Sequence, residues 1–320
     1  MKIKGMPKIL LHIHLDGSVR LDTIKELLNN NDIVNNKLLM NKHCQNLNDY
    51  LAKFELPIKV MQTKENLLRI SEEVALDLKK DNVIYAEIRF APFFHIKQGL
   101  TLDEVIETIL EGLKKVSLKT NLILCMMRGM KKEDNLKVIN LAIKYRNKGV
   151  CGIDLAGAEN SYKTKDYEDL FKYASDNNVN FTIHAGEADG IESINSALKF
   201  NTKRIGHGIR SIDSQDTIDK LISKKVTLEV CPTSNVDTCI VDVYKNHPIK
   251  KLYDKNILIT INTDNNTVSN ISLTEEYKKI VKYFAFTQKD LYKINLNAIN
   301  CAFISIEEKD ELIEKMKQYR

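Results

Sequence analysis

Four of the chain's seven histidines, His12, His14, His184 and His207, fall inside or at the end of short apolar runs, and so does Asp264. The first two lie in Leu11-His12-Ile13-His14-Leu15-Asp16-Gly17. Side chains two apart on a β-strand share a face, so this HxH aims both imidazoles at one point. Alone, such a pair is equally compatible with packed or surface histidines. His184 closes Phe181-Thr182-Ile183-His184 and is followed by Ala185-Gly186-Glu187. His207 sits in Gly206-His207-Gly208, and Asp264 closes Ile259-Thr260-Ile261-Asn262-Thr263-Asp264. Imidazole nitrogens with one carboxylate suit Zn²⁺, a borderline ion that takes nitrogen and oxygen ligands; iron and cobalt suit them too. Zn²⁺ lowers the pKa of bound water from about 15.7 toward about 7, so the chemistry in prospect is attack by activated water. Glu187 lies close enough to His184 to turn its carboxyl toward a reacting molecule while His184 stays on the metal. The bland alternative is that His184 or His207 merely packs at a barrel mouth. His43, His95 and His247 lack such company and read as ordinary surface or partly buried residues.

These groups need a scaffold that gathers the ends of distant strands. Candidate strands are 9–15, 83–90, 122–127, 150–155, 179–184, 204–207, 226–230 and 257–262, several of them near-continuous apolar runs as in parallel strands covered on both faces. Helical periodicity separates them at 103–116, 136–145, 167–174 and 217–223, and a solvated outer helix closes the chain at 306–318. Strand ends recur about every 30 residues, the length of a strand, a helix and their loops. Only the first interval is longer, which places a helical insertion at about residues 30–75, forming part of a lid over the pocket. Eight strands with crossovers predict a single α/β domain over 1–320, a (β/α)8 TIM barrel whose strand C-termini meet on one rim. The runner-up, an open doubly wound sheet, lacks a GxGxxG after any early strand.

The bulk properties restrict the partners. The chain has 320 residues, 43% hydrophobic and 28% charged, with 48 basic against 43 acidic residues and a net charge of +5. That excess is spread out; Lys79-Lys80 and Lys224-Lys225 are only pairs, read as solvated surface. No concentrated basic stripe for nucleic acid is present. No run approaches the roughly 20 apolar residues of a membrane span. The run Ile9-Leu10-Leu11 is broken at once by His12, too early for a signal-peptide core. Six cysteines without CxxC spacing read as reduced thiols of a cytoplasmic protein. A monomer is compatible with all of this.

The set resembles the adenosine deaminase family of the amidohydrolase superfamily. The matching stretches are LHIHLDGS (11–18), AEIRFAP (86–92), GIDLAGAE (152–159), TIHAGE (182–187), RIGHG (204–208), LEVCPTSN (228–235) and TINTDN (260–265). The resemblance implies one Zn²⁺ on His12, His14, His184 and Asp264. It implies Glu187 as general acid and His207 beside the activated water, to take its proton or stabilise it. Gly157 matches the position whose backbone meets purine N3, and Asp16 the carboxylate that holds a ribose hydroxyl. Leu51 and Phe54 match an apolar gate over the pocket. The implied reaction is hydrolytic deamination of adenosine, and of 2′-deoxyadenosine, to inosine or deoxyinosine plus ammonia, by attack of zinc-activated water on C6, in purine salvage.

Asn265 departs from the family, which often has a second Asp there. An Asn amide can donate to purine N7 at any pH, so the departure preserves the donor. Glu159 reads as structural. Competing readings are a deaminase of adenine, of an N6-modified nucleotide or of aminodeoxyfutalosine, and a non-catalytic barrel that only binds. Asp16 favours a nucleoside over free adenine, and Glu187 favours catalysis. A phosphotriesterase-type site lacks its lysine at the end of the fourth strand, GIDLAG. A cytidine-deaminase-type site would need HxE with PCxxC, and neither occurs.

Overall fold

The computed structural model describes residues 3–29 and 52–319. β1 (Lys8–His14), β2 (Val83–Phe90), β3 (Lys119–Met127) and β4 (Val150–Ala156) pair in parallel in chain order, as do β5 (His184–Ala185), β6 (Arg204–His207), β7 (Thr227–Val230) and β8 (Leu258–Ile261). Two single bridges, Ile153 with Phe181 and Ile13 with Asp264, join the two halves into a closed barrel. The strands are buried almost throughout because helices cover their outer faces.

The covering helices show why these residues fold as they do. Leu102–Lys114 buries Val105, Ile106, Ile109 and Leu113, one stripe at helical spacing. Each such side chain contributes about 1.5–3 kcal/mol by leaving water. Thr101 starts that helix with a capping box to Glu104; Thr287 with Asp290, and Ser305 with Glu308, start Gln288–Cys301 and Ile306–Met316 in the same way. Between β1 and β2 lie Leu21–Leu28, Glu55–Val60 and Lys64–Lys80. The part of the expected insertion before residue 52, with Leu51 and His43, lies outside the described residues.

The fifth strand is shorter than the expected 179–184. Only His184–Ala185 forms a regular ladder. Before it, backbone bonds to β4 flank Ile153 alone, from Ile153 N to Asn180 O at 3.0 Å and from Thr182 N to Ile153 O at 3.1 Å. One residue of partnership is too little to make a ladder.

The barrel interior below the rim is not the usual stack of branched aliphatics. Glu87 and Arg89 of β2, Asp154 of β4, Arg204 of β6 and Glu229 of β7 point into it, all fully buried. Arg89 bonds Asp154 at 2.7 Å and Glu229 at 2.8 Å. Arg204 forms ion pairs with Glu87 at 2.6 Å and Glu229 at 2.7 Å, and lies 3.8 Å from the centre of the Phe303 ring. Removing one partner of such a buried network strands the others and typically costs about 3–5 kcal/mol.

Candidate active site

Asp264 reaches the HxH pair through its backbone. Its N–H donates to the His12 carbonyl at 3.0 Å, and its carbonyl accepts from the His14 N–H at 2.7 Å. Asn262 completes the seam, its side-chain oxygen accepting the N–H groups of Leu11 at 3.0 Å and His12 at 3.1 Å. The arrangement places Asp264 at φ 61°, and His207, at the end of β6, at φ 60°. Such left-handed non-glycine residues cost about 1–3 kcal/mol and gather at functional sites. Gly206 matters for a different reason: a Cβ there would stand 3.1 Å from Cε1 of His12 and press that ring from its place.

Nε2 of His12 lies 3.3 Å from Oδ1 of Asp264, Nε2 of His14 lies 3.4 Å from the same oxygen, and the Nε2 atoms of His14 and His184 are 3.4 Å apart. Ligand atoms about 2.0–2.1 Å from a tetrahedral ion stand roughly 3.3–3.4 Å from one another. The lone pairs are also aimed correctly. Nδ1 of His12 meets Glu229 at 2.9 Å and Nδ1 of His184 meets Asp154 at 2.9 Å. The hydrogen bond to Glu229 puts the His12 proton on Nδ1 and leaves its Nε2 bare toward the common point, and the close Asp154 carboxylate favours the same for His184, the usual outer arrangement of metal-bound histidines. Burial pushes the Asp154 and Glu229 carboxyls up, yet Arg89 together with His184 or Arg204 holds both well below the usual carboxylate range. Asp264 is likewise held low against its burial, by His12 and then His14. Asp154, Glu229 and Asp264 thus set three buried carboxylates against the two guanidiniums of Arg89 and Arg204, a balance that a divalent cation would favour. His12, His14, His184 and Asp264 fit such an ion.

Beside this cluster lies a second set of groups. Glu187 is buried, and burial followed by the Asp264 charge pushes its carboxyl up to about 8. Its Oε1 accepts from Asn235 at 3.2 Å and from Thr238 at 3.4 Å. Nε2 of His207 stands 3.6 Å from Oε2. Burial, then the neighbouring His12, holds the His207 imidazole neutral over the ordinary pH range. Ser234 donates to Oδ2 of Asp264 at 2.5 Å. Glu159 takes the structural place expected of it: its carboxylate accepts the N–H groups of Gly186, Glu187, Ala188 and Asp189 and the Ser193 hydroxyl, which fixes the HAGE loop.

Both sets open into a cavity of about 350 Å³, walled by Phe54, Ile58, Phe94, Met127 and Ala156 on its apolar side. Asp16, Gly157 and Asn265 also line it. Burial pushes the Asp16 carboxyl up to about 7. Gly157 has φ 101°, which a side chain would strain, and it presents bare backbone to the cavity. Glu55 stands at the rim, and among the described residues no lysine or arginine lines the space.

Of the residues singled out from sequence, His12, His14, Asp16, Phe54, Gly157, His184, Glu187, His207, Asp264 and Asn265 come together here. His95 and His247 differ from expectation: both are fully buried. His95 is tied to the Met61 carbonyl at 3.1 Å, and His247 joins the site through Asn235, because hydrogen bonds within the chain replace those to water. Asp154, Glu229, Arg89, Arg204, Ser234, Asn235 and Thr238 were not singled out. Four of them are charged residues inside apolar strand runs, and that incongruity was the available signal.

A (β/α)8 barrel with this ligand set at its rim and a buried acid beside it, both facing one cavity, defines a metal-dependent hydrolase of the amidohydrolase type. The family model described as Adenosine deaminase matches residues 7–319, and the chain belongs to that family. It is 42% identical to an adenosine deaminase of Clostridium acetobutylicum, over 98% of each chain. Among solved structures it resembles an Arabidopsis ADAL protein complexed with IMP, with TM-score 0.89, 27% identity and coverage of 99% of this chain and 97% of that one. It also resembles an Arabidopsis N6-mAMP deaminase, with TM-score 0.89, 27% identity and 99% of each chain covered. Membership implies a divalent metal, a small purine substrate and water. Among the described residues, no helix is long and apolar enough to cross a membrane.

Proposed function

We propose that the protein deaminates adenosine, and 2′-deoxyadenosine, with water to give inosine, or deoxyinosine, and ammonia. The observation that carries this reading is Glu187: a buried carboxylic acid, still protonated near neutral pH, shares one purine-sized cavity with the His₃Asp cluster. The curated relatives named adenosine deaminase support it.

When bound at His12, His14, His184 and Asp264, one zinc ion supplies the Lewis acidity that makes water a nucleophile at neutral pH. Glu187 delivers its proton to purine N1, which draws electrons from C6 and offsets the loss of aromaticity as the water oxygen adds there. Such general-acid help is worth about 10²–10⁴-fold. His207 hydrogen-bonds the incoming oxygen, and Asp264 orients it. As the added oxygen becomes the C6 carbonyl it gives up both water protons: one reaches the amino group, so the C6–N bond breaks and ammonia leaves, and the other restores the acid form of Glu187. Asp16 holds a ribose hydroxyl, the Gly157 backbone meets N3, and the Asn265 amide donates to N7. Phe54 forms an apolar gate at the mouth of a single-domain barrel, in the described part of the expected insertion. Phe54 and Ile58 on the cavity wall support that role. The free cysteines Cys125, Cys151, Cys231, Cys239 and Cys301 support a cytoplasmic setting.

A nucleoside is preferred to a nucleotide because Asp16 and Glu55 line the cavity and, among the described residues, no cation there meets a phosphate. The test is ammonia release from adenosine, deoxyadenosine, adenine and AMP by the zinc-loaded protein. The two nucleosides should turn over, and adenine and AMP hardly at all. Preference for AMP or adenine would overturn the reading.

A further inference from the structure

Asn235 and His247 lie outside the ligand set, yet a continuous chain of hydrogen bonds runs through them into the site. Both are buried, Asn235 in the helix Pro232–Asp237 after β7 and His247 just before the helix Ile249–Asp254. The chain starts at a group that cannot be reoriented. The backbone N–H of Ile249 donates to Nδ1 of His247 at 3.1 Å. Nδ1 is therefore bare, and a neutral imidazole then carries its proton on Nε2. Nε2 faces Oδ1 of Asn235 at 3.2 Å and donates to it. That fixes the Asn235 amide with its NH₂ toward the cavity. One hydrogen goes to Nδ1 of His207 at 3.0 Å and the other to Oε1 of Glu187 at 3.2 Å.

We propose that Asn235 and His247 are positioning residues that decide where the protons sit on His207 and Glu187. Because His207 accepts at Nδ1, its own proton lies on Nε2. Among the described residues that nitrogen has no hydrogen-bond partner, so its N–H is free to meet an oxygen in the cavity. His207 is thus a hydrogen-bond donor and leaves the role of base to another group. Because Glu187 accepts at Oε1, its transferable proton lies on Oε2. One amide sets both groups, and one backbone N–H sets the amide. The chain deepens the deaminase reading of the same site, but its proton positions can be measured whether or not adenosine is turned over.

The test is ¹⁵N NMR of histidine-labelled, zinc-loaded protein, with His207 assigned from His207→Gln. The wild type should show His207 protonated at Nε2 and bare at Nδ1; the opposite tautomer overturns the proposal. Asn235→Asp offers only acceptors, so the His207 proton should move to Nδ1. There kcat should fall by about 10²-fold, within the usual range for misplaced acid–base groups, with KM little changed and zinc retained. An unchanged tautomer and kcat would also overturn the proposal. His247→Gln keeps the donor to Asn235 and should keep the wild-type tautomer and kcat, whereas His247→Phe should lose both. Equal behaviour of those two variants would mean that His247 only packs. This pair decides the matter even if Asn235→Asp fails to fold.

Discussion

The imidazoles at the barrel rim are held in two different ways. His12 and His184 rest on carboxylates, Glu229 and Asp154, each 2.9 Å from Nδ1. His207, on the neighbouring strand end, rests on a neutral amide, Asn235 at 3.0 Å. A carboxylate at Nδ1 accepts the proton there, frees Nε2 to coordinate and raises its basicity. An amide NH₂ at Nδ1 does the reverse and leaves Nε2–H as a donor. The same side chain, placed by the same fold, thus becomes an electron-pair donor on one side of the cavity and a proton donor on the other. The boundary between the two regions follows the sequence positions of Glu229, Asp154 and Asn235.

The strongest way to break this contrast is to remove an imidazole from each side. His12→Ala should abolish both metal retention and turnover, measured by metal analysis after desalting and by ammonia release. His207→Ala should keep its metal and lose turnover; loss of metal in both would erase the distinction. A smaller effect should follow from Glu229→Gln or Asp154→Asn, which weaken the carboxylate support. Metal affinity should drop about 10–100-fold in competition with a chelator. Thermal stability should fall as well, because Arg89 loses part of its buried pairing.

On the other side, pH sharpens the picture. Glu187 works in its protonated form, and burial with the Asp264 charge pushes its carboxyl up to about 8. Deprotonation with rising pH removes the acid, so kcat/KM should fall above pH about 8, up to about tenfold per pH unit for one required proton. A profile rising through that range would contradict the assignment. The smallest effect is expected at Gly157→Ala. The φ of 101° becomes strained, costing about 1–3 kcal/mol of stability in a thermal melt, with KM raised more than kcat is lowered.

Sequence made the ligand side legible and the acid side only partly so. His12 and His14 announce themselves by strand alternation, and His184, His207 and Asp264 by standing where apolar runs end. β2 and β6 match their expected ranges because the apolar runs stop where pairing stops. The fifth strand did not, because its pairing depends on how many β4 residues come alongside, which is a tertiary matter. Arg89, Asp154 and Glu229 were visible as charges within apolar runs, but their mutual pairing needs the barrel to close. His247 gave no local signal, and Asn235 only its place at the end of LEVCPTSN. An Asn after Cys-Pro-Thr-Ser and a His before a Pro are unremarkable until Ile249 N–H, 3.1 Å from the ring, fixes their direction.

Glu187 is an acid that acts beside the metal without binding it. Metal content and adenosine turnover of Glu187→Gln, measured on one preparation, test that claim. The variant should hold one zinc per chain, as the wild type does, with turnover reduced by about 10²–10⁴-fold or more. Wild-type turnover, or loss of the metal along with activity, would contradict it.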